Sequence, residues 1–189
     1  MPNEEAASLS ISNADLIRED VYHIAMSVRD TLQKLSDNRL PLIIRIENSI
    51  HRVNPKAPVT FPRNWCDYSS CVLALQLARY LDDPAINLCK SHEDGVHWWL
   101  RYADFDIDIT ADQYEHTNEP VIVERESQTH ELHFHDPSPS PFFSRERCSS
   151  PYFERLVDRL DAEVDQHLKP DRGIHAMTWC MGDRANDEE

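Results

Sequence analysis

The sequence predicts an α+β fold, in which helices and strands occupy separate parts of one chain. Apolar residues recur at helical spacing in three stretches before residue 82 and in one stretch towards the C-terminus. Between these stretches, residues 85–125 are rich in β-branched and aromatic side chains, and one segment alternates acidic with apolar residues. Because the helical and strand patterns are segregated, we expect an antiparallel sheet covered by helices.

Two helices are predicted before the first proline-rich segment. A cap at Ser12 or Asn13 begins a helix that runs to about Asp37. The second helix, Leu40 to Val53, has a proline in its first turn and most of its apolar side chains on one face. Residues 54–64 contain three prolines and are therefore expected to form an extended loop.

The remaining elements follow in the order helix, strands, helix. A largely buried helix is predicted from Asp67 to Leu81, and an amphipathic helix from Pro151 to Leu168, after the proline-rich linker Asp136 to Pro141. The strands predicted between the two helices are Ala85–Lys90, Val96–Tyr102, Phe105–Thr110, Pro120–Arg125 and Glu131–His135. These elements form one predicted domain over 12–168, with a disordered tail over 1–11 and a polar tail over 169–189.

The composition excludes several classes of function. The net charge is −15, so a polyanion such as DNA would be repelled by most of the surface. The chain contains three glycines, whereas phosphate-binding loops need several glycines close together. No stretch approaches the roughly 20 apolar residues of a membrane span. We therefore expect neither nucleic-acid binding, nor a nucleotide loop, nor a membrane span.

Cysteine usage and the first residues bear on the compartment. The five cysteines are an odd number without a CxxC pair, which argues against a disulfide framework and a four-cysteine zinc site. The first ten residues, MPNEEAASLS, are acidic and lack the apolar run of a secretory signal peptide. The expectation is a cytoplasmic protein, or one exported by a signal-peptide-independent secretion system, and no cofactor.

Cys66 is the first candidate for chemistry, because it lies where the proline-rich loop meets the predicted helix. A thiol in this place is close to the positive end of the helix dipole and to unpaired backbone N–H groups. Both are expected to lower its pKa and favour the reactive thiolate, and the N–H groups can also bind an oxyanion. Cys71, the rival nucleophile, lies five residues into the helix and is expected to point into the core.

His97 and two aspartates lie on predicted strands that are joined by a two-residue connection. Pairing Tyr102 with Phe105 across this connection makes Asp108 the diagonal neighbour of His97 on the same face. Asp106 shares that face but lies farther along the strand. A histidine near the thiol can act as its base, and an aspartate beside the ring can orient it. This register favours Asp108, although a bulge would change it in favour of Asp106.

Three motifs carry a resemblance to a known superfamily. They are FPRNWCDYSS before and within the predicted helix, HWWL on a strand, and DITADQY after the next strand. They resemble small bacterial proteins of the transglutaminase-like and papain-like cysteine hydrolases. The resemblance implies Cys66 as nucleophile, His97 as base and Asp108 as the third member of a triad. It also implies a papain-like core, in which the nucleophile helix packs on an antiparallel sheet, with extra N- and C-terminal helices.

The resemblance runs from Phe61 to Val123 and does not reach the flanking helices. The chain departs from the motif where Asp67 replaces a glycine and Tyr68 replaces an aspartate, which changes the start of the helix. Trp98 replaces a small residue after the histidine, which is expected to narrow the site.

Three further residues are candidates for the oxyanion hole or the cleft. In papain-like proteins a polar side chain upstream of the cysteine often helps to bind the oxyanion, and the resemblance gives Asn64 this role. Trp65 is expected either to shape the substrate groove or to lie in the core. Gln113, together with Asp112, either caps the turn after the Asp108 strand or lines the cleft.

The histidine-rich segment THELHFHD is a candidate metal site that the sequence does not favour. His133 and His135 would share one face of a predicted strand, with His130 and Asp136 nearby. Zinc sites use comparable histidine spacing, but the HExxH pattern is missing and a strand surface can carry several histidines. No bound metal is therefore expected, and the role of these histidines stays open.

The function that the motifs favour is a cysteine hydrolase acting on an amide or isopeptide bond through a thioester. Its substrate is expected to be a protein or peptide. A deamidase and a transglutaminase share the acyl-enzyme step, so the triad does not separate them. Two alternatives stay open. One is a bacterial effector or toxin that uses the triad on a target protein, and the other is a non-catalytic binding module on the same fold.

Overall fold

The computed structural model describes residues 13–53, 55, 59–81, 85–91, 96–134, 139–141 and 151–167. The predicted tails over 1–11 and 169–189 lie outside the described residues, as do His135 and the first half of the predicted linker, residues 136–138.

Within the described residues the chain is a mixed α+β protein, which confirms the predicted fold class at this level. The helices are α1 (Asn13–Asp37), α2 (Pro41–Val53), α3 (Cys66–Tyr80), α4 (Gln128–His133) and α5 (Pro151–His167). The strands are β1 (Ile86–Ser91), β2 (His97–Tyr102), β3 (Phe105–Asp108), β4 (Ile122–Arg125) and β5 (Ser140–Pro141). A 3-10 turn, Ala111–Gln113, follows β3.

The strands form an antiparallel sheet in the order β4-β3-β2-β1-β5. Strands β2 and β3 form the expected two-residue hairpin, in which Tyr102 pairs with Phe105 and Leu100 with Ile107. Ala103 in the connection has a positive φ of 49°, the left-handed conformation that such a tight turn requires. The predicted register of this hairpin is confirmed.

The two faces of the sheet have different neighbours, because side chains alternate along each strand. On β2, Trp98 and Leu100 belong to the large apolar core that the helices α1, α3 and α5 share with the sheet. Trp99 points to the opposite face, where it forms a small cluster with Cys89 and Phe134. His97 is on the same face as Trp99, with its ring stacked on the indole at 5.7 Å.

The predicted strand Glu131–His135 is wrong, because the chain forms the short helix α4 at Gln128–His133. Helical spacing brings His130 and Phe134 to the same side, and both are buried, whereas Leu132 is 66% exposed. In a segment this short, apolar residues flanked by polar ones fit the alternation of a strand as well as they fit one turn of a helix. His133 therefore lies on a helix and not on a strand face.

In the part of the chain that the structure describes, no helix is both long enough and apolar enough to cross a membrane.

Candidate active site

Cys66 is the first residue of α3, as the sequence predicts to within one residue. Its side chain is 7% exposed, and its thiol lies 3.9 Å from the carbonyl oxygen of Val96, the residue before His97. The start of α3 is fixed against the same strand one turn later, where the Ser70 hydroxyl donates to the Trp98 carbonyl oxygen at 3.1 Å. The thiol therefore faces the beginning of β2.

The predicted lowering of the thiol pKa is wrong for this conformation. Burial raises the pKa of the Cys66 thiol to about 12, and the negative charges of Asp108 and Asp67 act in the same direction. The backbone N–H groups of Trp98 and Asp67 lower the pKa, as expected at a helix start, but burial outweighs them. The thiol is therefore protonated near neutral pH in the described conformation.

His97 and Asp108 form a buried pair. The Nε2 atom of His97 lies 2.7 Å from Oδ2 of Asp108, and the side chains are 0% and 1% exposed. The other carboxylate oxygen, Oδ1, accepts the backbone N–H of Thr110 at 2.8 Å and its hydroxyl at 3.1 Å. Burial alone would raise the pKa of Asp108, but the charge of His97 and the contacts with His130 and His97 outweigh it and lower the pKa.

Asp106, the alternative partner of His97, has a different role in the sheet. Its Oδ1 accepts the indole N–H of Trp99 at 3.1 Å and the Nε–H of Arg101 at 2.9 Å. Its Oδ2 accepts the backbone N–H of Ser127 at 3.3 Å. Asp106 therefore anchors the start of α4, and the hairpin register places Asp108, not Asp106, at the imidazole.

Gln113 contacts the second nitrogen of the His97 ring. Its Nε2 lies 3.3 Å from Nδ1 of His97, and its Oε1 accepts the backbone N–H of Asn64 at 3.2 Å. Because a backbone N–H only donates, the amide oxygen must face Asn64 and the amide nitrogen must face His97. Nδ1 is then the acceptor, and the ring proton lies on Nε2, towards Asp108. Of the two predicted roles of Gln113, the structure places it inside the site.

The thiol and the imidazole are close in the fold but are not bonded to each other. Within the described residues, no hydrogen bond joins Cys66 to His97: the thiol lies nearest the Val96 carbonyl oxygen, and Nδ1 of the ring accepts from Gln113. The ring of Tyr114 meets His97 edge-on at 5.0 Å, and that of Phe134 lies at 4.4 Å. This ring contact places the phenol of Tyr114 beside the site, where burial is the main cause that raises its pKa. The described conformation is therefore closed.

Asn64 and Trp65 lead from the loop into α3. Asn64 is half-buried with a positive φ of 62°, a conformation that asparagine tolerates better than most residues. Its backbone, through Gln113, is linked to the His97 ring. Trp65 is 1% exposed and packs edge-on against Phe61 at 5.9 Å, so it lies in the core and not along a groove.

Cys71 lies one turn and a half beyond Cys66 on α3. It is 3% exposed within the large apolar core, and its thiol lies 3.8 Å from Oδ1 of Asp67. It has no place beside the imidazole, which agrees with the expectation that it points into the core.

An ion pair between the buried Arg29 and the partly buried Asp112 holds the turn that carries Gln113. The guanidinium of Arg29, on α1, makes two hydrogen bonds to Asp112 at 2.8 and 2.7 Å and one to the carbonyl oxygen of Ile109 at 2.7 Å. The same group lies over the ring of Phe61 at 4.6 Å. Asp112 is therefore a structural residue, which positions the neighbouring Gln113.

Replacing Arg29 by methionine is expected to destabilise the protein by about 1–3 kcal/mol, because it leaves the buried Ile109 carbonyl and the partly buried Asp112 carboxylate without their donor. Urea denaturation measures the change. The matched control is Lys34→Met on the same helix. Lys34 is 56% exposed and pairs with Glu163 at 3.0 Å, so the control is expected to cost less than about 1 kcal/mol. Equal losses for the two variants would contradict the structural role of Arg29.

His130, on α4, was not assigned to the site by sequence reasoning. It is 3% exposed, and its Nε2 lies 3.3 Å from Oδ2 of Asp108, an ion-pair distance without the alignment of a hydrogen bond. Within the described residues, neither of its ring nitrogens has a hydrogen-bond partner. The spacing of His130 and Phe134 by one helical turn is the signal that could have found them. His133 lies farther out and stacks on His116 at 3.7 Å.

A cavity of about 760 Å³ adjoins this side of the sheet. Residues that line it include Trp99, Arg101, Asp106, Arg125 and His130. Neither Cys66 nor His97 lines the cavity, so it borders the site through His130 and does not contain the thiol.

Comparisons of the chain with protein-family models, curated proteins and solved structures gave no match. The chemistry of the site therefore has to be judged from its own residues. A thiol at a helix start, an imidazole on the adjacent strand and a carboxylate fixing that imidazole are the groups that nucleophilic acyl transfer requires.

Proposed function

We propose that the chain is a cysteine-dependent hydrolase that cleaves an amide bond, with Cys66 as nucleophile, His97 as base and Asp108 as the residue that orients the base. The observation that carries the proposal is the buried 2.7 Å contact between His97 Nε2 and Asp108 Oδ2. This contact keeps the ring proton on Nε2 and makes Nδ1 the acceptor of the ring, a position that Gln113 engages in the described conformation. The function proposed is the one that the sequence motifs favour.

The architecture supports a papain-like or transglutaminase-like core. Helix α3, which begins with the proposed nucleophile, packs against β2 of an antiparallel sheet. The base and its partner lie on the β2–β3 hairpin of that sheet. In this proposal helices α1, α2 and α5 are the additional N- and C-terminal helices, of which α1 and α5 pack against α3.

The proposed reaction begins when Gln113 leaves Nδ1 of His97. Nδ1 then takes the proton of the Cys66 thiol, and the sulfur attacks the carbonyl carbon of the substrate. The backbone N–H groups at the start of α3 stabilise the oxyanion. The C–N bond breaks as the protonated ring gives its proton to the leaving nitrogen, and the acyl group stays on sulfur as a thioester. Water, deprotonated by His97, then releases the acid and restores the thiol.

Asp108 assists both proton transfers without taking a proton. It accepts the Nε2–H of His97 and so fixes the tautomer that leaves Nδ1 able to accept. Thr110 holds the carboxylate through its second oxygen, Oδ1, with two hydrogen bonds. The carboxylate also stabilises the charged imidazolium that forms during the reaction.

The closed conformation is explained in this proposal as a resting form. Opening requires that Gln113 and Tyr114 move away from the ring of His97 and admit a carbonyl group to the thiol. Both residues belong to the turn after β3, so one local movement displaces them together.

Replacing Gln113 by alanine is expected to increase the reactivity of Cys66. In the wild-type protein a thiol with a pKa of about 12 is almost fully protonated at neutral pH, and its alkylation accelerates as the pH rises and the thiol ionises. Without the amide, Nδ1 can accept the thiol proton, and losing one hydrogen bond corresponds to about a tenfold change. Alkylation of Cys66 by iodoacetamide, followed by mass spectrometry, measures this rate.

The control for this experiment is Gln33→Ala, which removes an amide that donates an exposed hydrogen bond to Oδ1 of Asp37 on α1 at 2.8 Å. It is expected to leave the alkylation rate of Cys66 unchanged. If Gln113→Ala also left the rate unchanged, Gln113 would not be what keeps the thiol from the imidazole.

A turnover assay tests the proposed function and separates its variants. The protein is incubated with a mixture of peptides that contain glutamine and asparagine, with and without an added primary amine. New peptide termini indicate a peptidase, released ammonia with a converted side chain indicates a deamidase, and incorporated amine indicates a transglutaminase. A secreted effector would use the same triad and differ only in its target protein. In this assay it would act as a deamidase or as a transglutaminase.

A non-catalytic binding module is the second candidate, because two observations favour it. His97 is fully buried, and the thiol is protonated in the described conformation. Under this alternative none of the three products appears, and Gln113→Ala leaves Cys66 as slow to alkylate as in the wild-type protein.

A further inference from the structure

His97, Asp108 and His130 form a buried cluster of potential metal ligands. One donor atom from each residue lies within 4.8 Å of the donor atoms of the other two. Oδ2 of Asp108 is the centre of this cluster, with His97 Nε2 at 2.7 Å and His130 Nε2 at 3.3 Å. The three side chains come from β2, β3 and α4, so the fold brings together ligands that are far apart in the sequence.

His130 is the residue that indicates a ligand. It is 3% exposed, and within the described residues neither ring nitrogen has a hydrogen-bond partner. Its Nε2 has the ion-pair contact with Asp108, whereas its buried Nδ1 is left without a partner among the described residues, and a buried polar group in this state carries a desolvation cost. The proposed hydrolysis uses His97 and Asp108 and gives His130 no role. A group that coordinates this ring would remove the cost and explain why the chain buries it beside a carboxylate.

The donor set matches a divalent transition-metal ion. Two imidazole nitrogens and one carboxylate oxygen form a common zinc site, in which a water molecule completes the coordination. With bonds of about 2.0–2.1 Å, neighbouring ligands of a tetrahedral zinc ion are about 3.3 Å apart. The two contacts at Asp108 lie near this separation, and all three donor atoms lie within 4.8 Å of one another, so side-chain movements of about 1–2 Å would bring them to one ion.

The cavity beside the sheet supplies a route to the cluster. His130 is one of its lining residues, together with acidic residues at Asp106, Glu126 and Glu131. A cation and its water can therefore reach His130 from the side of the sheet opposite to the large core. The thiol of Cys66 does not line this route.

We infer that His97, Asp108 and His130 bind a divalent transition-metal ion, with Zn²⁺ as the best match. The ion would take the place of the proton between His97 and Asp108. It would hold the ring through Nε2, and so separate the base from the carboxylate that orients it. The binding stands on the cluster alone. Its consequence, that the bound ion switches the hydrolase off, rests on the proposed function.

The test measures Zn²⁺ binding to the full chain, freed of metal by a chelator, in competition with a zinc-sensitive dye. The wild-type protein is expected to bind one ion that His130→Gln loses, with an affinity at least about 100-fold lower in the variant. His133→Gln is the matched control on the same helix, and it is expected to bind as the wild type does. Equal binding by His130→Gln and the wild type, or no binding by the wild type, would overturn the inference.

A second measurement does not depend on the folding of a variant. Co²⁺ bound to the wild-type protein is expected to give a spectrum of nitrogen and oxygen coordination, without the intense charge-transfer band of a thiolate ligand. A thiolate band would place the ion on a cysteine and overturn the inference.

The Cys66→Ala variant separates this inference from the proposed function. It lacks the proposed nucleophile, yet it is expected to bind Zn²⁺ as tightly as the wild-type protein does. Binding that is lost in Cys66→Ala would overturn the proposed ligand set. If the wild-type protein showed Zn²⁺ binding but no amide cleavage, the proposed function would fail and the metal site would stand.

Discussion

Replacing Cys66 by alanine is expected to lower the rate of amide cleavage by about 10⁶-fold, the loss typical of removing the nucleophile of a triad. Without the sulfur no thioester forms, and His97 has no thiol proton to take. The helix start itself should be kept, because alanine is a good helix former and the side chain it replaces is small and buried. The peptide assay measures the rate, and circular dichroism checks that the fold is retained.

The matched control is Cys71→Ala, which removes a buried thiol from the same helix. Cys71 is 3% exposed and lies near Asp67 instead of His97, so this change should cost stability and not the rate. If Cys71→Ala lost activity while Cys66→Ala kept it, Cys66 would not be the nucleophile and this account would be wrong.

Replacing Asp108 by asparagine is expected to lower kcat by about 10⁴-fold. The two donors of Thr110 require an acceptor at the position of Oδ1, so the amide oxygen will occupy that side. The amide nitrogen then faces Nε2 of His97 and donates to it. The ring proton must move to Nδ1, which is the atom that has to accept the thiol proton. The variant should therefore fold with the imidazole in the wrong tautomer.

Asp106→Asn is the comparison for this variant. Asp106 is on the same strand face and just as buried, but it bonds Trp99, Arg101 and the backbone of Ser127 instead of His97. This change is expected to lower the unfolding free energy while the rate of cleavage is kept. A larger loss of rate in Asp106→Asn than in Asp108→Asn would contradict the orientation of His97 by Asp108.

The hairpin that carries the base could be predicted from the sequence in some detail. Strand alternation in the segment Phe105–Asp108 and a two-residue connection are local features, and together they determine which residues face each other. The contact of His97 with Asp108 follows from that register. The helices α1 and α3 could be predicted for a related reason, because the helical spacing of their apolar residues and the prolines near their ends are local features.

Other features of the site depend on contacts between distant segments. The burial that raises the pKa of Cys66 results from packing against β2. The local sequence indicates only the helix start, whose backbone N–H groups lower that pKa. Gln113 reaches His97 because Arg29, on α1, holds the neighbouring Asp112. Neither link leaves a signal in the local sequence.

The segment around His130 was predicted wrongly for a third reason. One helical turn and a short strand give similar patterns of apolar residues, and tertiary packing decides between them. Here the decisive contacts are the burial of His130 and Phe134 against Trp99. The misassigned strand is also why the histidine-rich segment was not connected with Asp108.

Acylation of Cys66 tests the central claim most directly. The wild-type protein and Gln113→Ala are treated briefly with p-nitrophenyl acetate at neutral pH, and the acetylated cysteines are identified by peptide mass spectrometry. The account predicts acetyl-thioester on Cys66 in both proteins, formed faster in Gln113→Ala and lost when His97 is also replaced by alanine. Equal acetylation of Cys66, Cys71 and Cys89, or none on Cys66 in either protein, would contradict it.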